Sequence, residues 1–283
     1  MEVLVCGLNS YLGRASLSCL QEDGYNVHGL IRDVRLLSQH TFPATADIVA
    51  VDLIKQGAAY THFSLTQLDL SFYFTQIPDL DDKIAVQYEL LSLRHFILLS
   101  QRNGCNRVIY VGRTYDKNCL TEIKALFLEL GVAYTIVLKD IALGVGTSFD
   151  RFMTRILAHK YVFLFNPTGK IRFSPFVLKD IFRWIKKVPW HENFIRDEIE
   201  FGGAEVLDLK DLLREHGRKQ GLREMCKIIS LQNKRLTQLL NRSMYGIRRD
   251  TYSEYILNVT RGNFADNSKW QSLFSFDFTP IYS

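Results

Sequence analysis

The residues best suited to hold a charged ligand are the run Gly7-Leu8-Asn9-Ser10-Tyr11-Leu12-Gly13 near the start of the 283-residue chain. An apolar run, Glu2–Cys6, precedes it and a helix-like pattern follows, so Gly7 closes a strand and Gly13 falls in a first helical turn. Amides at a helix start, backed by the helix dipole, attract phosphate oxygens. In a dinucleotide loop the first glycine turns the chain, the middle one lets the phosphate approach and the last lets helix pack on strand. Ser10 stands at the middle position here, keeping the amide and adding a hydroxyl donor at the cost of a Cβ near the ligand. The expected cofactor contacts are therefore Gly7, Asn9, Ser10, Tyr11, Leu12 and Gly13; the alternative is a compact strand–turn–helix corner with no ligand.

Two further positions bear on that choice. Arg32 ends the second predicted strand, where a carboxylate would grip the ribose hydroxyls of NAD and an arginine favours the extra phosphate of NADP. NADP(H) is thus expected over NAD(H), with a solvated Arg32–Asp33 pair as the alternative. Asp52-Leu53 closes the third strand at a place suited to the adenine edge, and Asp52 reads equally well as a helix N-cap.

The elements that position these residues alternate. Strands are expected at Glu2–Cys6, Asn26–Arg32, Ala46–Asp52, Ser71–Ile77, Arg107–Gly112 and Ala133–Leu138. Helices are expected over Tyr11–Glu22, near Val34–Ser38, over Asp82–Arg102 and over Cys119–Leu130. Buried strands alternating with helices predict an α/β fold with a doubly wound parallel Rossmann-type sheet, its ligand at the carboxyl ends of the strands where the strand order reverses. After Gly144 the rhythm changes: a helix over Thr147–His159, short extended pieces at Tyr161–Phe165 and Lys170–Phe173, a helix over Pro175–Lys187, a strand Ile199–Phe201 and a helix-rich tail from Leu209 to Val259. The expected division is 1–146 as an NAD(P)-binding domain and 147–283 as a smaller C-terminal, helix-rich substrate or partner lobe packed on it.

Composition narrows the class. Hydrophobic residues make up 47% and charged residues 23%, as in a globular chain that builds its own core. Five scattered cysteines with no C-x-x-C pair argue against a disulfide framework and a zinc site, and no metal is expected. The start MEVLVCGL has no basic leader, and no apolar run is long enough to span a bilayer, so a cytoplasmic protein is expected. The net charge of +5 suits an anionic ligand without calling for nucleic acid.

The segments CGLNSYLG, GYNVHGLIRD, VDL, NRVIYVG and GVAYTIVLKDIALGVG, in this order, resemble the atypical, NmrA-like branch of the extended short-chain dehydrogenase/reductases. The resemblance covers residues 1 to about 215. It implies a Rossmann-type core binding NAD(P) and a small substrate lobe, in a family of reductases, epimerases, quinone-linked oxidoreductases and non-catalytic redox sensors. It also implies cofactor contacts from Thr75, Gln76 and Ile77 on the nicotinamide side, and from Gly112 and Arg113 after the fifth strand. The parent superfamily works with a Ser or Thr, a Tyr and a Lys, the last two spaced four apart on one helical face. Here the serine pair reads Gly112-Arg113, the tyrosine slot holds Asp116 and the lysine slot holds Leu120. Stand-ins for the catalytic roles are Tyr115, Thr114 and Lys117.

The tail carries a basic run from Arg214 to Arg249 with apolar residues at helical spacing, which reads as a solvated face or as a surface for an acidic partner, a membrane or nucleic acid, the last disfavoured. The aromatic-rich ending is expected to lie back on the body. The resulting expectation is an NAD(P)-binding protein, monomer or homodimer, with an unknown small-molecule substrate. It acts as an oxidoreductase or sugar-nucleotide-epimerase-like enzyme lacking the usual dyad; the alternative is a non-catalytic NADP(H)-binding sensor or scaffold.

Overall fold

The computed structural model describes residues 1–32, 35, 46–75, 83–144, 147–165, 172–219, 221, 227–246 and 264–281, without the side chains of 115, 117, 118 and 148. Its sheet strands are β1 (Glu2–Cys6), β2 (Asn26–Ile31), β3 (Asp47–Ala50), β4 (Leu70–Phe74), β5 (Arg107–Arg113), β6 (Ala133–Lys139) and a last strand, Asp197–Phe201. Across the sheet the order is Asp197–Phe201, β6, β5, β4, β1, β2, β3. β1 lies parallel between β2 and β4, with Cys6 opposite Leu30 on one side and Tyr73 on the other. Strand order therefore reverses at β1, the crevice where a doubly wound sheet takes its ligand.

β1 and β4 are central because no charged residue interrupts their buried runs, and the buried hydroxyl of Ser71 in β4 is bonded to Ser100. Every residue of β4 is buried, as are Val3–Cys6 of β1. Strands covered on both faces read as continuous apolar runs rather than alternating ones. Helix α1 (Tyr11–Glu22) follows β1, a short α2 spans Ala58–His62, and α3 (Lys83–Arg102) and α4 (Leu120–Glu129) follow β4 and β5. α3 turns the stripe Glu89, Ser92, Leu93, Phe96, Ile97 and Ser100 inward, the three- and four-residue spacing of one helical face. Its Leu93, Phe96, Ile97 and Leu99 join Leu4, Tyr73, Val108, Tyr110 and Ile136 in one core.

Two glycines of the first corner are required by close packing. Gly7 has φ +96°, and a Cβ there would fall 2.3 Å from the Phe74 carbonyl oxygen; a Cβ on Gly13 would fall 2.4 Å from the Gly7 carbonyl oxygen. The first turns β1 beneath β4, and the second seats α1 on that turn.

The chain divides into two compact units, Met1–Leu138 with Phe182–Ile199 and Lys139–Ile181 with Glu200–Ser283. It thus crosses between them three times, where a single crossing near 146 was expected. In the second unit, Phe149, Phe152, Met153, Val162, Leu164, Leu212 and Leu213 form the core. The expected helix-rich tail is not helical throughout: Lys227–Leu231 is a strand, paired in parallel with Tyr161–Phe165. Its residues Lys-Ile-Ile-Ser-Leu are β-branched at two positions, and the pairing partner is remote in sequence. The aromatic ending folds as expected within this unit, with Trp270 fully buried against Phe201, Phe274, Phe276 and Phe278. Among the described residues, no helix is long and apolar enough to cross a membrane.

Candidate functional site

The corner after β1 is built from its own residues. Ser10 is the N-cap of α1: its Oγ accepts from the Gly13 amide at 3.0 Å and donates to the Gly7 carbonyl at 2.9 Å. The Ser10 amide also donates to Gly7 O, at 2.9 Å. The serine hydroxyl and amide are thus spent inside the turn, which corrects the expectation of an added donor toward the ligand. Serine is a strong capping residue and its extended backbone, φ −84° and ψ 151°, needs no glycine. The amides of Tyr11 and Leu12, in the first turn, have no acceptor four residues back within the helix and lie where the dipole favours an anion. Arg14 braces the turn by donating to the carbonyls of Leu8 and Asn9, each at 2.9 Å.

Beside this corner lies a cleft of about 240 Å³ at the carboxyl ends of β1, β2 and β3. It brings together four residues expected at the cofactor, Asn9, Arg32, Asp52 and Leu53. Arg32 is exposed at its mouth. Asp52 lines the cleft, and its Oδ1 accepts from the amides of Ile54 (2.9 Å) and Lys55 (3.1 Å) in the turn that precedes α2; the N-cap of that helix is Gly57, which corrects the helix-cap reading of Asp52. Leu53 is held from behind, its carbonyl bonded to the His95 ring. Ligand clefts for drug-sized molecules run from about 300 Å³ upward, so this smaller cleft is sized for part of a dinucleotide rather than the whole. The Asn9 Oδ1 atom is buried there with no hydrogen-bond partner among the described residues. A buried acceptor left in that state is costly unless a ligand donor meets it. The cleft therefore fits a nucleotide: Asn9, Asp52 and Arg32 would hold it, with the first turn of α1 at the phosphates.

The same cleft has residues that the sequence reading missed, chiefly Glu89 and Ser92 of α3 with Cys6 and Leu30. Glu89 is 1% exposed. The signal for it was present: a glutamate on the inward stripe of an amphipathic helix breaks the polar-outside pattern. Its charge adds to burial in raising the Cys6 thiol and the Tyr73 and Tyr110 hydroxyls above their usual ranges.

Residues expected on the nicotinamide side are arranged differently. Thr75 follows β4, its Oγ1 3.1 Å from the Tyr110 hydroxyl and 3.0 Å from the Val111 carbonyl oxygen. Gly112 packs so closely on Tyr110 that a Cβ would meet the ring at 2.9 Å. Gln76 and Ile77 lie outside the described residues. Arg113 turns its guanidinium to Asp116: Nε to Oδ2 is 2.7 Å, a terminal nitrogen to Oδ1 is 2.9 Å, and the Arg113 amide donates to Oδ2 at 3.2 Å. Both side chains are buried, so the pair is a fork-to-carboxylate lock in a dry setting. It opens the 3₁₀ stretch Thr114–Cys119, in which Thr114 is also buried. The side chains of Tyr115 and Lys117 lie outside the described ones. Leu120, in the slot the resemblance gives to lysine, is buried in the core. Cys119 beside it is no ready nucleophile, since burial, followed by the Asp116, Glu122 and Glu89 charges, pushes its thiol up to about 11.

No family model and no curated protein matches this chain. Solved structures do. A nucleoside-diphosphate-sugar epimerase from Staphylococcus aureus superimposes with a TM-score of 0.70 at 13% identity, over 100% of this chain and 99% of its own. UDP-glucose 4-epimerase from Thermotoga maritima, solved with UDP-glucose, gives 0.68 at 14% over 96% and 92%. UDP-glucuronic acid 4-epimerase from Bacillus cereus, solved with NAD, gives 0.62 at 12% over 92% and 96%. The chain thus has the Rossmann-type α/β fold that these sugar-nucleotide epimerases share, along essentially its whole length.

Proposed function

We propose that this chain is a nicotinamide-dinucleotide-binding protein of the extended short-chain dehydrogenase/reductase type, in its atypical, NmrA-like branch, that holds NADP(H) without the family's Tyr/Lys proton relay. On this reading it is a cytoplasmic, monomeric or dimeric redox sensor or scaffold, with the first unit holding the cofactor and the second meeting a substrate or partner. The observation that carries the reading is the buried Arg113–Asp116 lock. By the resemblance, these residues stand where the polarising hydroxyl and the acid/base tyrosine would be, and each satisfies the other instead of facing a reactant. The binding half rests on the cleft at the switch point, with Arg32 at its mouth and the Asn9 acceptor inside.

A second reading, an oxidoreductase or sugar-nucleotide-epimerase-like enzyme, is favoured by the full-length likeness to an epimerase, which extends well beyond the nucleotide-binding half. Tyr115 would then be the acid/base, Thr114 the polarising hydroxyl and Lys117 its helper. Calorimetric titration with NADPH, NADP and NAD, followed by a turnover panel of quinones, aldehydes and sugar nucleotides, separates the two. NADPH binding without turnover is the expected result; turnover lost in Tyr115→Phe establishes the enzyme instead, and no binding by any dinucleotide ends both readings. Arg32→Ala should weaken NADP by about tenfold and leave NAD nearly unchanged, the loss of one charge-assisted phosphate contact. Equal loss for both dinucleotides would remove Arg32 from the 2′-phosphate.

A further inference from the structure

The helix Lys234–Tyr245 is built inside out. Its buried residues are Thr237, Asn241 and Tyr245, spaced four apart on one face. That polar face closes the edge of strand Tyr161–Phe165 left open by its pairing with Lys227–Leu231. Asn241 Nδ2 donates to the Phe163 carbonyl at 3.0 Å; the Tyr245 hydroxyl donates to the Tyr161 carbonyl at 2.6 Å and accepts from the Phe163 amide at 3.1 Å. The strand edge needs polar partners, so the helix must turn its polar face inward. Three of its apolar side chains are left on the outside, Leu236 at 45% exposed, Leu239 at 62% and Met244 at 42%, while Leu240 is half-buried.

The charged residues of the helix itself have one sign. Lys234, Arg235 and Arg242 are exposed and the helix contains no acidic residue. Outward aliphatic side chains flanked by long cationic ones fit the boundary between anionic headgroups and acyl chains, where leucines enter and Lys or Arg stems reach back to phosphate. A protein partner is the poorer fit, because the centres of protein interfaces favour tyrosine and tryptophan over leucine. We propose that the helix Lys234–Tyr245 is a peripheral docking surface for an anionic lipid membrane, lying in the interface with Leu236, Leu239 and Met244 inserted.

The test is co-sedimentation of the full chain with mixed phosphatidylcholine–phosphatidylglycerol vesicles against pure phosphatidylcholine vesicles. Binding to the mixed vesicles alone, weakened by added salt, is expected. The double variant Leu236→Ser/Leu239→Ser should lower partitioning by about tenfold or more. Both positions are exposed, and unchanged near-UV circular dichroism would show that the fold is kept. Three results would overturn the proposal: equal binding to both vesicle types, no binding to either, or self-association in sedimentation velocity that the double variant abolishes, which would give the face to a second copy of the chain.

Discussion

Arg113 and Asp116 are nearly sealed from water and are held together by a bidentate ion pair. Removing one partner of such a pair strands a buried charge, whereas replacing both with apolar groups of similar size is close to neutral. Asp116→Ala should therefore lower the unfolding free energy by about 3–5 kcal/mol, and Arg113→Met/Asp116→Leu by much less. Urea titration of the three proteins checks this; a loss under ~1 kcal/mol in Asp116→Ala would show that the pair is not a structural lock. Both variants should still titrate with NADPH, because neither residue lines the cleft. At this scale the sequence supplied residue types, Arg113 and Asp116, and was silent about their pairing. An aspartate three residues after an arginine is common on surfaces; only burial turns that spacing into a lock.

The corner between β1 and α1 was legible because its determinants are local. A strand end, two glycines six apart and a capping residue between them suffice to specify the turn, and all three are readable within a dozen residues. Ser10, which looked like a departure from a phosphate loop, is a helix cap whose hydroxyl and amide both bond within the turn. Ser10→Ala should cost roughly 1 kcal/mol of stability through loss of the cap, while Ser10→Gly should cost only a few tenths and leave dinucleotide affinity equal or higher. Thermal unfolding together with NADPH titration reads both. A drop in affinity for Ser10→Gly would mean that the serine does contact the phosphates. Glu89 was less legible. Its helix was predicted correctly, but which face of that helix turns to the cleft depends on how it packs against β1 and β4.

For the whole molecule, the aromatic ending is a second source of stability. Trp270 has no exposed surface, its Nε1 donates to the Glu200 carbonyl at 2.9 Å, and Phe201, Phe274, Phe276 and Phe278 surround it. Asp140 and Asp180, both buried, tie the same ending down, accepting from the Ala265 amide and from the Thr279 amide and hydroxyl. Trp270→Ala should lower stability by about 3–5 kcal/mol, as emptying a large aromatic site does. Denaturant unfolding followed by near-UV circular dichroism would show it, and a loss below ~1 kcal/mol would mean that the ending packs loosely. The sequence by itself determined the α/β class, the strand–helix alternation of the first half and the strand–turn–helix corner at Gly7–Gly13, since each follows from propensity, periodicity or residue type over short stretches. Tertiary structure alone decided that Glu89 joins Asn9, Arg32 and Asp52 in one cleft, that Arg113 closes on Asp116, that Lys227–Leu231 becomes a strand and that Lys234–Tyr245 turns Leu236 and Leu239 outward. Those outcomes depend on burial and on pairing between segments far apart in the chain, and neither is encoded in any one segment.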